Sequence, residues 1–169
     1  QYQKELDVEL VATTDVVKSL RKVKDKSEID KISQAVEISD YAFEQIQEQL
    51  QVGAIEREIA LELEFAQKKQ GATKNAFDFI VASGTRGAMP HGVASDKEIK
   101  AGDLVTMDFG CVYQGYHSDM TRTVMVGEEP TAKQEKIYNL VLEAQQAAIA
   151  AIEPGKTGAE IDKVARDII

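Results

Sequence analysis

Apolar residues recur at helical spacing through Ile29, Ile32, Val36, Phe43, Ile46 and Leu50, which predicts one long amphipathic helix ending near Leu50. Ser27 with Asp30 supplies a capping-box start, because a hydroxyl accepts from a free backbone N–H while a carboxylate reaches back. Gly53 marks the end of this element. A second helix puts Ile55, Ile59, Leu63 and Ala66 on one face and stops at Gly71. The period then falls to two: Phe77, Phe79 and Val81 alternate with Asp78, Ile80 and Ala82, as in a strand. Gly84, Gly87, Pro90 and Gly92 punctuate a loop, and a hairpin occupies the stretch from Leu104 to Val126. Thr131 with Gln134 caps a third helix that stops before Pro154-Gly155, and Thr157 with Glu160 opens a fourth. Residues 1–24 are mixed and charged, with a short β-branched stretch around Leu10, Val11 and Thr13. They read as the end of a preceding domain or a linker, which leaves 25–169 as an α+β domain. Long helices would cover one face of a curved, mainly antiparallel sheet.

A longer-range regularity crosses these elements. The spacing from Val52-Gly53 to Glu58-Ile59 recurs from Pro154-Gly155 to Glu160-Ile161, at an offset of 102 residues. The same offset puts Ile38 on Leu140 and Ala42 on Ala144. Either two helix hairpins look alike by chance, or the chain holds an internal repeat. In the second case the first unit continues through strands to about Gly127, and the second needs roughly 60 further residues.

Composition narrows the function. A chain of 169 residues is enough for one domain with a real core. Its net charge of −9 argues against nucleic acid as a main partner, since phosphate binding needs clustered Lys and Arg; the acidic surface reads as solubility. No apolar run approaches the roughly 18 residues that span a bilayer, so a membrane is not an expected partner. The first residue is Gln rather than Met, so the start of the protein is expected upstream. Cys111 is alone, which rules out an intrachain disulfide and fits a reducing cytoplasm. In a hairpin it reads as a small apolar filler rather than a nucleophile.

The hairpin carries the chemistry. With Gln114-Gly115 as a two-residue turn, Tyr113 faces Tyr116, Gly110 faces Asp119 and Asp108 faces Thr121. Paired residues point to the same side of a sheet, and so do residues two apart, so Asp108 and Asp119 become diagonal neighbours on one face with glycine beside them. A bulge would shift this register. Two carboxylates so placed repel unless a cation lies between them. Strict alternation turns Arg122 to the other face, leaving a divalent ion such as Mn²⁺ or Mg²⁺, or a pair of them, against the plain alternative of a solvated acidic hairpin. Thr106, Thr121 and Thr123 share the aspartates' face, either as supporting hydrogen-bond partners or as ordinary strand residues. His91 follows Pro90 in the glycine-flanked loop, where an imidazole serves as general acid, base or carbonyl donor, or is incidental. His117 sits near the turn and reads as structural.

These residues resemble the pita-bread metallopeptidases, the family of methionine aminopeptidase, aminopeptidase P and Xaa-Pro dipeptidase (prolidase). The stretches that carry the likeness are Ile80-Val81-Ala82-Ser83-Gly84, Met89-Pro90-His91-Gly92, Gly102-Asp103-Leu104-Val105, Asp108-Phe109-Gly110 and Gly115-Tyr116-His117-Ser118-Asp119-Met120-Thr121-Arg122-Thr123. With the helices on either side, the resemblance covers nearly everything after residue 24. Asp-Phe-Gly and Thr-Arg-Thr are similar to the proline-specific branch rather than to methionine aminopeptidase, and the stretch through Val23-Lys24 resembles the join to that branch's N-terminal domain. The resemblance implies a pita-bread fold and a hydrolase cutting the bond before proline, acting on peptides with proline in second position. It implies that Asp108 and Asp119 bind a pair of divalent ions, manganese first, with cobalt or zinc as alternatives. It also implies that His91 contacts substrate or moves a proton, and that a homodimer forms. The family completes its metal site with a histidine and two glutamates that this sequence does not reach before Ile169. The expectation is therefore the first half of a catalytic domain, inactive alone. A non-catalytic binding protein of the same fold, a methionine aminopeptidase and a metal-free creatinase-like hydrolase are the alternatives.

Overall fold

The computed structural model describes residues 11–169. Leu10 and the start of the β-branched stretch lie outside the described residues. Where a linker is expected, Val16–Lys22 form a short helix, α1, with no buried residue. The first long helix, α2, spans Lys26–Ile46, and a 3₁₀ turn at Gln47–Gln49 completes it. Its cap is Asp25 rather than Ser27. Extended backbone at Asp25 sets its carboxylate on the N–H of Glu28 at 2.9 Å, while Glu28 accepts the Asp25 N–H at 2.8 Å. Ser27 only donates to Asp25 Oδ1.

The buried face of α2 also differs from the expected one. Ala35, Ile38, Ser39, Ala42 and Ile46 are buried, whereas Ile29 and Val36 are exposed. Helical periodicity singles out bulky side chains, but here close approach decides. Ala35 and Ile38 cluster with Ala72 and Cys111, and the Cys111 thiol reaches the Ala35 carbonyl at 3.4 Å. Small residues permit that contact, and Cys111 is the buried filler that its isolation implied.

Helix α3 covers Glu56–Lys69 and buries Ile59, Leu63 and Ala66 as expected. The strands are β1 (Lys74–Asn75), β2 (Ile80–Ser83), β3 (Leu104–Phe109), β4 (Cys111–Tyr113), β5 (Tyr116–His117) and β6 (Met120–Met125). Phe77 and Phe79 precede β2 instead of belonging to it, because both rings are drawn into aromatic contacts. Phe79 packs edge-on to Phe77 and to Phe109, and Phe43 stacks on Phe109 at 6.3 Å. Helices α4 (Ala132–Ala150) and α5 (Gly158–Ile168) begin with the capping boxes read from Thr131 with Gln134 and Thr157 with Glu160.

The described chain forms two compact units interleaved along the sequence. The first takes the described part of Gln1–Gln47 with Ala60–Phe79 and Asp108–Thr121, and the second takes Glu48–Ile59, Ile80–Met107 and Arg122–Ile169. In the first, α2 lies on β4 and β5, which form a sheet of order β1-β4-β5. In the second, α4 packs on α5, and Gln134 Nε2 ties α4 to the Gly102 carbonyl at 2.9 Å. The internal repeat is visible in the helices: α3 starts at Glu56 and α5 at Gly158, again 102 residues apart. Gly53 and Gly155 before them share a left-handed backbone, at φ 91° and 95°.

The hairpin is divided between two sheets. β3 and β6 pair with β2 in the order β2-β3-β6, while β4 and β5 belong to the other sheet. Gly110 lies at the break on one strand and Ser118-Asp119 on the other. The backbones come so close there that a Cβ on Gly110 would collide with the Ser118 carbonyl oxygen. Neither side of that contact is a flexible side chain able to give way. Gly110→Ala is expected to destabilise the fold by about 1–3 kcal/mol, read as a lower urea midpoint with unchanged slope; an unaltered midpoint would show that the break is pliable.

Candidate metal centre

The site begins with the turn. Gln114 and Gly115 both have positive φ, 47° and 86°, the backbone of a two-residue turn that matches strand twist. Tyr113 pairs with Tyr116 and Val112 with His117, and beyond the break the Thr106 and Thr123 hydroxyls meet at 3.3 Å. The Thr106–Thr123 contact and the hydrogen bond of Asp108 with Thr121 are in keeping with the register read from the turn.

Along β3, Val105, Met107 and Phe109 are fully buried while Leu104, Thr106 and Asp108 alternate with them on a half-buried face. Asp108 is held by this alternation on the opposite side from Met107 and Phe109. Burial pushes its carboxyl above the ordinary carboxylate range, and the charge of Asp119 pushes it the same way, while a hydrogen bond with Thr121 opposes both. Asp108 Oδ1 is buried without a hydrogen-bond partner. A buried carboxylate oxygen with no donor, facing a second carboxylate, is a deficit of positive charge that a hard divalent cation fits. Among the described residues no group of three or more His, Cys, Asp or Glu is arranged to hold a metal ion. A cation there would meet two carboxylates of this chain, those of Asp108 and Asp119.

Asp119 is exposed, but the residue before it is not. Ser118 is buried, bonded to the Ser39 hydroxyl at 2.7 Å, and accepts the Cys111 N–H at 2.9 Å. Gln67 Nε2 donates to Ser39 Oγ at 3.2 Å. A polar chain from α3 through α2 thus fixes the backbone from which Asp119 projects. Sequence reading missed Ser39 and Gln67, which occupy helix faces judged by apolar spacing. The available signal was a serine between Ile38 and Ala42, where a hydroxyl needs a partner.

His91 lies in the second unit, exposed, in the loop after the 3₁₀ turn Gly84–Ala88. Its carbonyl accepts the Val93 N–H at 2.9 Å. His117 is exposed within β5. No helix among the described residues is long and apolar enough to cross a membrane.

Residues 30–169 match the sequence pattern of the family described as Metallopeptidase family M24. The chain is 52% identical over 155 residues to the Xaa-Pro dipeptidase of Pyrococcus furiosus, covering 92% of this chain and 44% of that protein. Among solved structures, an Xaa-Pro dipeptidase from Bacillus anthracis superposes with a TM-score of 0.96 at 49% identity, over 99% of this chain and 47% of that one. An X-Pro aminopeptidase from Thermotoga maritima gives 0.92 at 46% identity, over 96% and 46%. The likeness extends over the stretches that carry the pita-bread motifs, and the chain spans about half the length of the relatives it matches.

The pKa shift at Asp108 sets a pH dependence. Its folded value is raised, so the proton adds stability in acid, and that contribution is lost as pH rises through the folded value. In metal-free protein, Asp108→Asn is expected to flatten this loss and raise the thermal midpoint at neutral pH. A variant that melts lower than the parent in chelator at neutral pH would contradict the raised value.

Proposed function

The chain belongs to metallopeptidase family M24, and from that premise we propose that it supplies the first part of the catalytic machinery of an Xaa-Pro peptidase. Asp108 and Asp119 hold a pair of divalent ions, manganese first and cobalt or zinc as alternatives. The observation that carries this reading is the donor-less, buried Asp108 Oδ1 set against a second carboxylate on one sheet face. Support for the proline-directed branch comes from relatives near half identity that are named Xaa-Pro dipeptidase.

When bound, the ions supply Lewis acidity toward a carbonyl and make a water acidic enough to serve as a nucleophile. The protein's own residues prepare for that. The Thr121 hydroxyl bonds to Asp108 and orients its carboxylate, leaving Oδ1 available. Thr106 and Thr123 close the strand pair beneath, at 3.3 Å. The chain through Gln67, Ser39 and Ser118 fixes the backbone at Asp119. His91, presented on its loop, bonds the substrate carbonyl or moves a proton. Substrates are peptides with proline in second position. A reducing compartment such as the cytoplasm suits Cys111, a free and buried thiol. Residues 25–169 form the catalytic portion, and 1–24 lead in from a preceding element. The protein acts as a homodimer.

The test is hydrolysis of an Xaa-Pro dipeptide and a longer Xaa-Pro peptide by the full-length protein carrying this sequence, with and without Mn²⁺. Cleavage is expected only with metal, and Asp108→Ala or Asp119→Ala is expected to lower kcat/KM by more than about a hundredfold. A full-length protein that binds no divalent ion stoichiometrically would instead be a non-catalytic binder of the same fold. Metal-dependent removal of N-terminal methionine, with no cleavage before proline, would move the assignment to the methionine aminopeptidase branch.

A further inference from the structure

Glu56 is the first residue of α3, a position where an acidic side chain ordinarily faces solvent beside the positive end of the helix. In this fold it is fully buried. A buried carboxylate is costly unless donors surround it, and here they do. Oε1 accepts the Ser83 N–H and the Ser83 hydroxyl, each at 2.8 Å. Oε2 accepts Arg86 Nε at 3.1 Å, the Ser95 N–H at 3.3 Å and the Ser95 hydroxyl at 2.7 Å. Burial would raise the carboxyl, but the bonds from Ser95 and Ser83 and the Arg86 guanidinium outweigh it and hold it below the usual range. The anion is therefore the resident form.

The donors are the two limbs of the loop that carries His91. Ser83 ends β2, where the chain leaves the sheet, and Ser95 lies where it returns, just past the antiparallel bridge of Ile80 with Val93. Arg86 turns its other arm onto the Val93 carbonyl at 2.7 Å, so a single side chain from inside the loop spans its neck. The short stretch between Arg86 and Val93, His91 included, is tied at both ends. Inside it, the Met89 N–H meets the Arg86 carbonyl at 2.9 Å and the Gly92 N–H meets the Met89 carbonyl at 3.2 Å. Glu56 is itself fixed. Its N–H bonds the Lys97 carbonyl at 3.1 Å, and the next N–H, of Arg57, bonds the Ser95 carbonyl at 3.0 Å.

We propose that Glu56 is a positioning residue for His91: from the start of α3 its carboxylate locks both limbs of the loop and so sets where the imidazole is presented. This rests on the reading of His91 as the residue that serves substrate. Glu56 acts through Ser83, Arg86 and Ser95, and it stays buried throughout.

The experiment uses the full-length, Mn²⁺-loaded protein and the Glu56→Gln variant, which keeps the side chain's shape but leaves one of its two positions unable to accept. Amide exchange across residues 84–95 is expected to rise about tenfold or more, with exchange in α2 unchanged. In the same variant kcat is expected to fall by a similar factor, with bound metal unchanged. Unaltered loop exchange, or an equal rise in α2, would overturn the proposal, the second result marking a general stability role. Should Glu56→Gln fail to fold, Ser95→Ala removes only one donor and is expected to shift the same amides in the same direction; no shift would be equally fatal. His91→Ala is measured alongside. If it leaves kcat/KM intact, the reading of His91 fails while loop exchange still decides the clamp. If loop exchange is unmoved while His91→Ala abolishes turnover, the clamp fails and His91 stands.

Discussion

Two like charges held on one face of a hairpin are the constraint from which the rest of the first unit follows. Side chains along a strand alternate strictly, so a slip of one residue would send Asp108 to the side of Met107 and Phe109, both fully buried. Register is secured at both ends of the hairpin, by the tight turn at Gln114-Gly115 and by the paired hydroxyls of Thr106 and Thr123. Between them the two strands pass from one sheet to the other with backbones nearly touching at Gly110 and Ser118. The approach frees Asp119 from ladder pairing and sets its carboxylate against that of Asp108. The two carboxylates repel, and burial adds to the rise at Asp108.

Each unit holds buried polar groups as well as apolar packing. In the first, Gln67, Ser39 and Ser118 form a chain of hydrogen bonds inside an otherwise apolar helix–sheet interface. In the second, Glu56 gathers donors from Ser83, Arg86 and Ser95. Beside it, Lys97 bridges Ser83 and Asp103, whose carboxyl burial would raise but Lys97 pulls down. Apolar contacts tolerate small slides, whereas hydrogen bonds are directional and hold their partners in one geometry.

Much of this was legible in the chain. The capping boxes at Thr131 and Thr157, the stop at Gly71, the turn at Gln114-Gly115 and the shared face of the aspartates all follow from local geometry, which a sequence encodes within a few residues. The 102-residue offset between helix hairpins was legible too. The motifs around His91, Asp108 and Asp119 point to the metallopeptidase family to which the chain belongs. What misled was any judgement that weighed side-chain size without knowing the neighbour. Ile29 and Val36 were placed inward and face outward, while Ala35 and Ser39 are buried because β4 approaches α2 closely.

By itself, then, the sequence determined the order and ends of most elements, the hairpin register and the pairing of two carboxylates. Caps, turns and alternation are short-range consequences of backbone sterics and hydrogen bonding. Only the tertiary structure decided that the chain divides into two units, that the hairpin is split between two sheets, and that Glu56 is buried rather than solvated. It also decided that Asp108 Oδ1 has no donor. Those outcomes depend on which distant segments exclude water from a given atom, and residues far apart in the chain meet only once the fold has closed around them.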